Sequence, residues 1–321
     1  MILGAVIRQR YFLRLQFLIM WLIFALATTL IWGLAELFYK KGARPDEKFA
    51  HLKICVCVGF VMGLHAISTL LFGNIGYDPR NLILYLPVSL CYIISMSLSF
   101  FGMRFIEESI SDPIENTSGA ICSLLCALFL HEIIPGKSVI AILLIVIGIL
   151  GIGFMENRGS TDRKKKIGRR LAMVAFAMPF CYAILDAFGS FLDIYYLEIE
   201  TSPLSGVNAG NIEMVANTTY ELTFLICALL ILIFLRIRNV PMNINRNKNG
   251  ILAAICETAG QFTYVFAMSG NGAIAAPIIS SVCIVSLLLS RMVLKEKLTK
   301  KQYLFLAFVI IGILLLAIFD G

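Results

Sequence analysis

Ile110-Ser111-Asp112-Pro113-Ile114 and Ile274-Ala275-Ala276-Pro277-Ile278 carry one pattern twice, 164 residues apart. The same displacement, without a gap, sets Leu130-His131-Glu132 on Leu294-Lys295-Glu296 and Ile147-Gly148-Ile149-Leu150 on Ile311-Gly312-Ile313-Leu314. Apolar composition supplies chance matches among Ile and Leu, but a co-registered Pro, Glu and Gly is harder to obtain that way. Nearer the N-terminus the matching displacement is 150, which puts Trp32 on Tyr182 and Glu36 on Asp186. The 14-residue difference is extra connection between the sixth and seventh apolar runs. The chain reads as a duplication.

Each half is too apolar for water. Of 321 residues 59% are hydrophobic and only 15% charged, with a mean hydropathy of +0.88, whereas soluble domains carry about 25% charged residues. Charges, Gly/Pro clusters and Asn-rich turns cut the chain into runs near 15–38, 51–72, 82–104, 109–131, 138–155, 171–197, 215–236, 250–269, 273–294 and 302–319. Each suffices to cross a bilayer, which takes about 20 helical residues at about 1.5 Å each. Five runs per half is an odd number, so the second half enters from the opposite side. The expected fold class is an all-α polytopic membrane protein, with ten transmembrane helices as two inverted five-helix repeats. Such repeats recur in secondary transporters, with the substrate held near the midplane between the halves.

The net charge of +7 reports orientation rather than nucleic-acid binding. Of 27 Lys and Arg, Arg8, Arg10, Arg14, Arg80 and Lys137 fall on the side of the termini, leaving 22 on the other. Lys and Arg collect on the cytoplasmic side. The expected organisation is an N-terminal tail over 1–14, a first repeat over 15–156, a basic cytoplasmic linker over 157–170 and a second repeat over 171–321, in the cell membrane with both termini outside. The first run lacks a cleavage site and reads as a retained span. All nine cysteines lie in apolar runs and read as packing residues.

These residues resemble the EamA-type branch of the drug/metabolite transporter superfamily. The likeness rests on Trp32-Gly33 in the first span, Pro113 with Glu132 around the fourth, Pro277 with Glu296 in the second half, and Lys40 or Lys41 late in the first span. It covers about Leu15 to Asp320. It implies a ten-span carrier of small metabolites driven by a gradient. Two departures stand out: Tyr182 replaces a second Trp, and Glu36 lies only four or five residues before the lysine.

Ionisable groups at membrane depth cost about 2.5–3.5 kcal/mol each on insertion scales and are functional candidates by default. Asp186 lies 16 residues past Arg170, about 24 Å along a helix. Glu257 and Gln261 share a face at i,i+4. Glu115 and Asn116 follow Pro113, where a proline frees a backbone carbonyl; Pro113 and Pro277 are the candidate cavity prolines. Glu36 reads either as a cavity group or as an interfacial carboxylate paired with Lys40. Trp32, Tyr182 and Tyr264 are candidate aromatic faces for a cation. No Lys or Arg lies deep in any span, which disfavours sugar phosphates and nucleotide sugars. Glu132 and Glu296 read instead as helix-start features, beside Pro135 and a Thr299-x-x-Gln302 capping box.

The favoured function is a secondary transporter (permease) of an amine-containing or cationic metabolite, such as an amino acid, amine or drug, working by alternating access. Its expected partners are the small substrate, the lipid bilayer and a proton or another coupling ion, with homodimerisation left open, and with no cofactor, metal or nucleic acid. The alternative is a non-transporting receptor or lipid-handling scaffold. A membrane-embedded enzyme ranks lower, because His131-Glu132 lacks the second His of a zinc protease and no GxSxG occurs.

Overall fold

The computed structural model describes residues 2–44, 47–105, 108–157, 169–294 and 299–319. These form twelve α-helices: α1 Ile2–Gly42, α2 Ala50–Phe72, α3 Asn81–Leu84, α4 Leu86–Gly102, α5 Glu108–Glu115, α6 Ser118–Phe129, α7 Gly136–Asn157, α8 Arg169–Leu197, α9 Ile212–Ile237, α10 Lys248–Ile279, α11 Val282–Leu294 and α12 Lys300–Phe319. No strand occurs among the described residues. The first helix starts at Ile2, so the stretch read as a tail continues α1. Helix α10 merges the eighth apolar run and part of the ninth across a kink at Asn271, where the backbone leaves helical values (φ −162°, ψ 70°).

Among the described residues, five stretches are long and apolar enough to cross a membrane: Met20–Gly42, Ala50–Phe72, Met173–Leu197, Ile212–Ile237 and Asn245–Ile279. Their outward faces are greasy. Leu26, Leu30 and Leu34 on α1 and Ile226, Leu230 and Ile233 on α9 are exposed, a liability in water but the natural surface against lipid tails. Inside, α1 packs on α10, α2 on α9, α4 on α8 and α7 on α12. Because lipid removes the hydrophobic drive between helices, small residues at the seams let backbones approach closely.

The α7–α12 seam is reciprocal. The position a Cβ would take on Gly148 is filled by Val309 and the Phe305 carbonyl, and that on Gly312 by Ile145 and the Ala141 carbonyl. Displacement by 164 carries Gly148 onto Gly312, Ala141 onto Phe305 and Ile145 onto Val309, so each half presents the same surface to the other.

The third, fourth and ninth apolar runs are broken rather than continuous. A break at Tyr85 divides α3 from α4, one at Asn116–Thr117 divides α5 from α6, and one at Ser280–Ser281 divides α10 from α11. The last two lie three to four residues past Pro113 and Pro277 and share their bonding: Thr117 Oγ1 donates to the Ile114 carbonyl at 2.7 Å, and Ser281 Oγ to the Ile278 carbonyl at 2.6 Å. Pro277 has no N–H for the Ala273 carbonyl four residues back; Ser123 of α6 donates to that carbonyl instead. The α12 start has the expected reciprocal cap, with Thr299 N donating to Gln302 Oε1 at 2.8 Å and Gln302 N to Thr299 Oγ1 at 3.3 Å.

At one end of the bundle, Arg44 in the α1–α2 turn donates to the Arg246 carbonyl before α10. At the other, the α2–α3 and α8–α9 connections are clasped. Asn81 Nδ2 donates to the Ser205 carbonyl at 3.0 Å, and Ser205 N to Asn81 Oδ1 at 2.8 Å. There, hydrogen bonds from Arg80 hold the Asp78 carboxyl well below the usual carboxylate range.

The reciprocal seam predicts matched penalties. Gly148→Val and Gly312→Val should each destabilise the protein by about 1–3 kcal/mol through overpacking, whereas Gly136→Ala, whose added Cβ meets nothing within 4 Å, should leave stability unchanged. Thermal melting in detergent checks this; a neutral effect of either valine would contradict the reciprocal contact.

Candidate functional site

Helical spacing assembles the site. On α1, Trp32, Glu36 and Tyr39 follow one another at i, i+4 and i+7; on α10, Glu257, Gln261 and Tyr264 repeat the spacing, and on α8, Tyr182, Asp186 and Ser190 lie one turn apart. All nine face one cavity of about 100 Å³ near the centre of the bundle, closed further by α4, by the broken α5–α6 pair and by the end of α10.

The sequence candidates Trp32, Glu36, Glu115, Asn116, Tyr182, Asp186, Glu257, Gln261 and Tyr264 all line it. The repeat-related pairs Trp32/Tyr182 and Glu36/Asp186 therefore meet in one space, as a pseudo-twofold through the cavity requires. Pro113 and Pro277 do not line it. They precede the breaks that place Glu115 and Ser280 at its wall. Glu132 is exposed at the α6–α7 turn, away from the cavity, and Glu296 lies outside the described residues.

The α1–α10 face is tied by aromatic and polar contacts. Tyr39 Oη donates to Glu257 Oε2 at 3.1 Å and Trp32 Nε1 to the Glu257 carbonyl at 3.3 Å, while Trp32 stacks on Tyr264 with centroids 5.1 Å apart. Gly260 makes the stack fit, because the Trp32 indole occupies the place of its missing Cβ. Across the cavity, Ser99 Oγ donates to Glu115 Oε2 at 2.7 Å, and Ser118 and Tyr182 join Asp186 in the lining.

Five carboxylates line the space: Glu36, Asp112, Glu115, Asp186 and Glu257. Among the described lining residues there is no Lys, Arg or His. The nearest positive charge is Lys40, one turn past Glu36, which interacts electrostatically with Glu36 and Asp112 and donates to Ser286 Oγ at 2.9 Å. Glu36 Oε2 and Glu115 Oε1 are buried without a hydrogen-bond partner. A buried unpaired carboxylate oxygen is costly. Both oxygens belong to residues that line the cavity.

Sequence reasoning missed several residues. Asp112 stands inside the repeated pentapeptide, where the second half has Ala276; that asymmetry was a usable signal, since an acid replaces an apolar residue at membrane depth. Asp193, seven residues past Asp186 and so on the same face, is 1% exposed and accepts a hydrogen bond from Tyr85. Beside it, Tyr92 and Tyr264 share a hydrogen bond of 2.6 Å, and Tyr264 Oη donates to Ser190 Oγ at 3.0 Å. No local pattern distinguishes Tyr39, Tyr92 or Tyr220 from packing aromatics.

The family model of the EamA-like transporter family matches residues 19–154 and 201–318. Twenty-six chains of solved structures are similar. One of them, described as a crystal structure of a protein, covers 92% of this chain and 95% of its own at a TM-score of 0.68 and 12% identity, a likeness of fold alone. No curated protein matches the chain in sequence. The family match falls once in each half and takes in most of the chain, including the cavity-lining parts of α1, α4, α5, α6 and α10 but not α8: the chain belongs to the EamA-like transporter family, and is a multi-pass membrane transporter of the drug/metabolite transporter superfamily.

Proposed function

We propose that this transporter is a secondary carrier of a small organic cation, such as an amine or the ammonium form of an amino acid, held in the central cavity and passed across the membrane by alternating access. The observation that carries this reading is the lining itself: five carboxylates, a Trp–Tyr stack and further tyrosines, with no basic side chain among the described lining residues. Carboxylates attract the charge, and aromatic faces bind a desolvated cation through their quadrupoles, by about 2 kcal/mol or more. Drug-sized ligand pockets run about 300–1,000 Å³, so a cavity near 100 Å³ favours a small amine over a bulky drug. The carboxylates also give a coupling proton somewhere to bind, and no cofactor or enzymatic step is needed.

The finer architecture is part of this reading. The α1–α10 and α4–α8 contacts exchange under the repeat, whereas α2–α9 and α7–α12 map onto themselves. That pattern supports ten crossings in two inverted fives, with the α5–α6 and α10–α11 breaks inside the fourth and ninth crossings. The basic segment 157–170 is proposed to be cytoplasmic and both termini external.

In proteoliposomes, Asp186→Asn and Glu257→Gln are each expected to lower the initial rate of uptake of a labelled amine about tenfold or more, equivalent to about 1.4 kcal/mol, with melting temperatures close to that of the parent protein. Wild-type rates in both variants would remove these carboxylates from transport. For orientation, a cysteine placed by Lys165→Cys should react with an impermeant maleimide only after cells are permeabilised; rapid labelling of intact cells reverses the assignment.

A further inference from the structure

The α1–α10 seam borders a second cavity. Of about 590 Å³, it lies at the end of the bundle where α8 gives way to α9, and is lined by Trp21 and Phe24 of α1, Phe266 and Ser269 of α10, Glu198 after α8 and Glu213 at the start of α9, with aliphatic residues between them. Trp21 is 2% exposed, yet its indole N–H has no hydrogen-bond partner. Phe24 and Phe266 stack with centroids 5.2 Å apart, and Glu213 Oε1 accepts from Ser269 Oγ at 2.8 Å. Among the described lining residues none is basic.

We propose that this second cavity binds an organic cation with an apolar or aromatic body, and that it stands in series with the central cavity on one transport path. The place in series rests on the cation-carrier reading above; the binding site does not. Its chemistry is that of the central cavity in looser form, with two carboxylates, aromatic faces and room for a larger body. The unpaired Trp21 N–H adds a donor able to meet an ether, hydroxyl or carbonyl oxygen on that body.

The two cavities share their helices. Trp21 and Trp32 are eleven residues apart on α1, about 16 Å along the axis. On α10, Phe266 follows Tyr264 by two residues. Between them, Thr28 Oγ1 and Thr263 Oγ1 hydrogen-bond at 2.7 Å across the seam, backed by the Tyr264–Tyr92–Ser190 network. A cation released past that layer would meet Glu213 and Glu198 next. The α8–α9 end beyond them is clasped by the Asn81–Ser205 bonds.

The chain has two tryptophans, one at each cavity, and this makes the test direct. In nanodiscs of fixed lipid composition, the Trp32→Phe protein is titrated with N-ethylpyridinium, a cationic quencher of indole fluorescence. Saturable quenching of Trp21 is expected, weakened at least fivefold by Glu213→Gln and unmoved by Glu257→Gln. Quenching that is linear in concentration, that is reproduced by neutral acrylamide, or that follows Glu257 rather than Glu213 overturns the proposal; the first two outcomes mark an apolar crevice filled by lipid. The Trp21→Phe protein reports on the central cavity, so its failure to respond would count against the proposed function and leave the outer site standing. Calorimetry on the wild-type chain gives an independent reading that does not depend on either tryptophan variant. Two binding events per chain are expected with the same cation, one of them removed by Glu213→Gln, and a single event indifferent to Glu213 overturns the site.

Discussion

The central contact of the fold is the crossing of two broken helices. At the start of α6, Gly119 lies against the Ala276 carbonyl and the Ser280 hydroxyl, both of which fall where a Cβ would be. Its N–H, one of the orphan donors of a helix N-terminus, donates to Ser280 Oγ at 3.0 Å. One turn on, Ser123 takes the carbonyl that Pro277 leaves free. Each broken helix thus supplies a hydrogen-bonding group that the other lacks, which matters in lipid, where water does not satisfy it. A side chain at position 119 would force the pair apart and open the wall that carries Glu115, Asn116 and Ser280.

That crossing explains how so much acidity is held in so apolar a chain. Carboxylates at bilayer depth are expensive singly, and five at one small cavity repel one another. The structure offsets this locally, with hydroxyls from Tyr39 and Ser99 on two of them and Lys40 near two. The compensation is incomplete, as the bare oxygens of Glu36 and Glu115 show. A purely structural network would be stabilised by closing those gaps. Leaving them open makes sense where a charged ligand or proton arrives to fill them.

Much of this was legible in the sequence because duplication and charge scarcity are both one-dimensional signals. The displaced pentapeptides marked the two irregular stretches, and rarity alone singled out Glu36, Glu115, Asp186 and Glu257, all of which reach the cavity. What the sequence hid depends on partners distant along the chain. Tyr39 becomes a site residue only because α10 brings Glu257 against it, 218 positions away. Only the fold shows that Glu36 lines the cavity together with Asp112, with Lys40 one turn on donating to Ser286. Prolines predicted the irregularities but not their positions, since each chain breaks after its proline, at the residues whose hydroxyls bond back to the previous turn.

The same seam explains why α1 and α10 are the helices to watch. Their interface alternates tight, glycine-permitted contacts with hydrogen bonds that a small slide would break. Trp32 fills the Cβ position of Gly260 and Trp21 that of Gly270. Between these fixed points the seam holds Thr28 against Thr263 and Trp32 against Tyr264. Close-packed interfaces switch between discrete arrangements instead of deforming smoothly. The kink at Asn271, next to Gly270 and the second cavity, interrupts the helical backbone geometry of α10 there. Glu36 and Glu257 therefore lie on the same pair of helices as the Thr28–Thr263 contact between the two cavities, so the acidic lining and that contact share one seam.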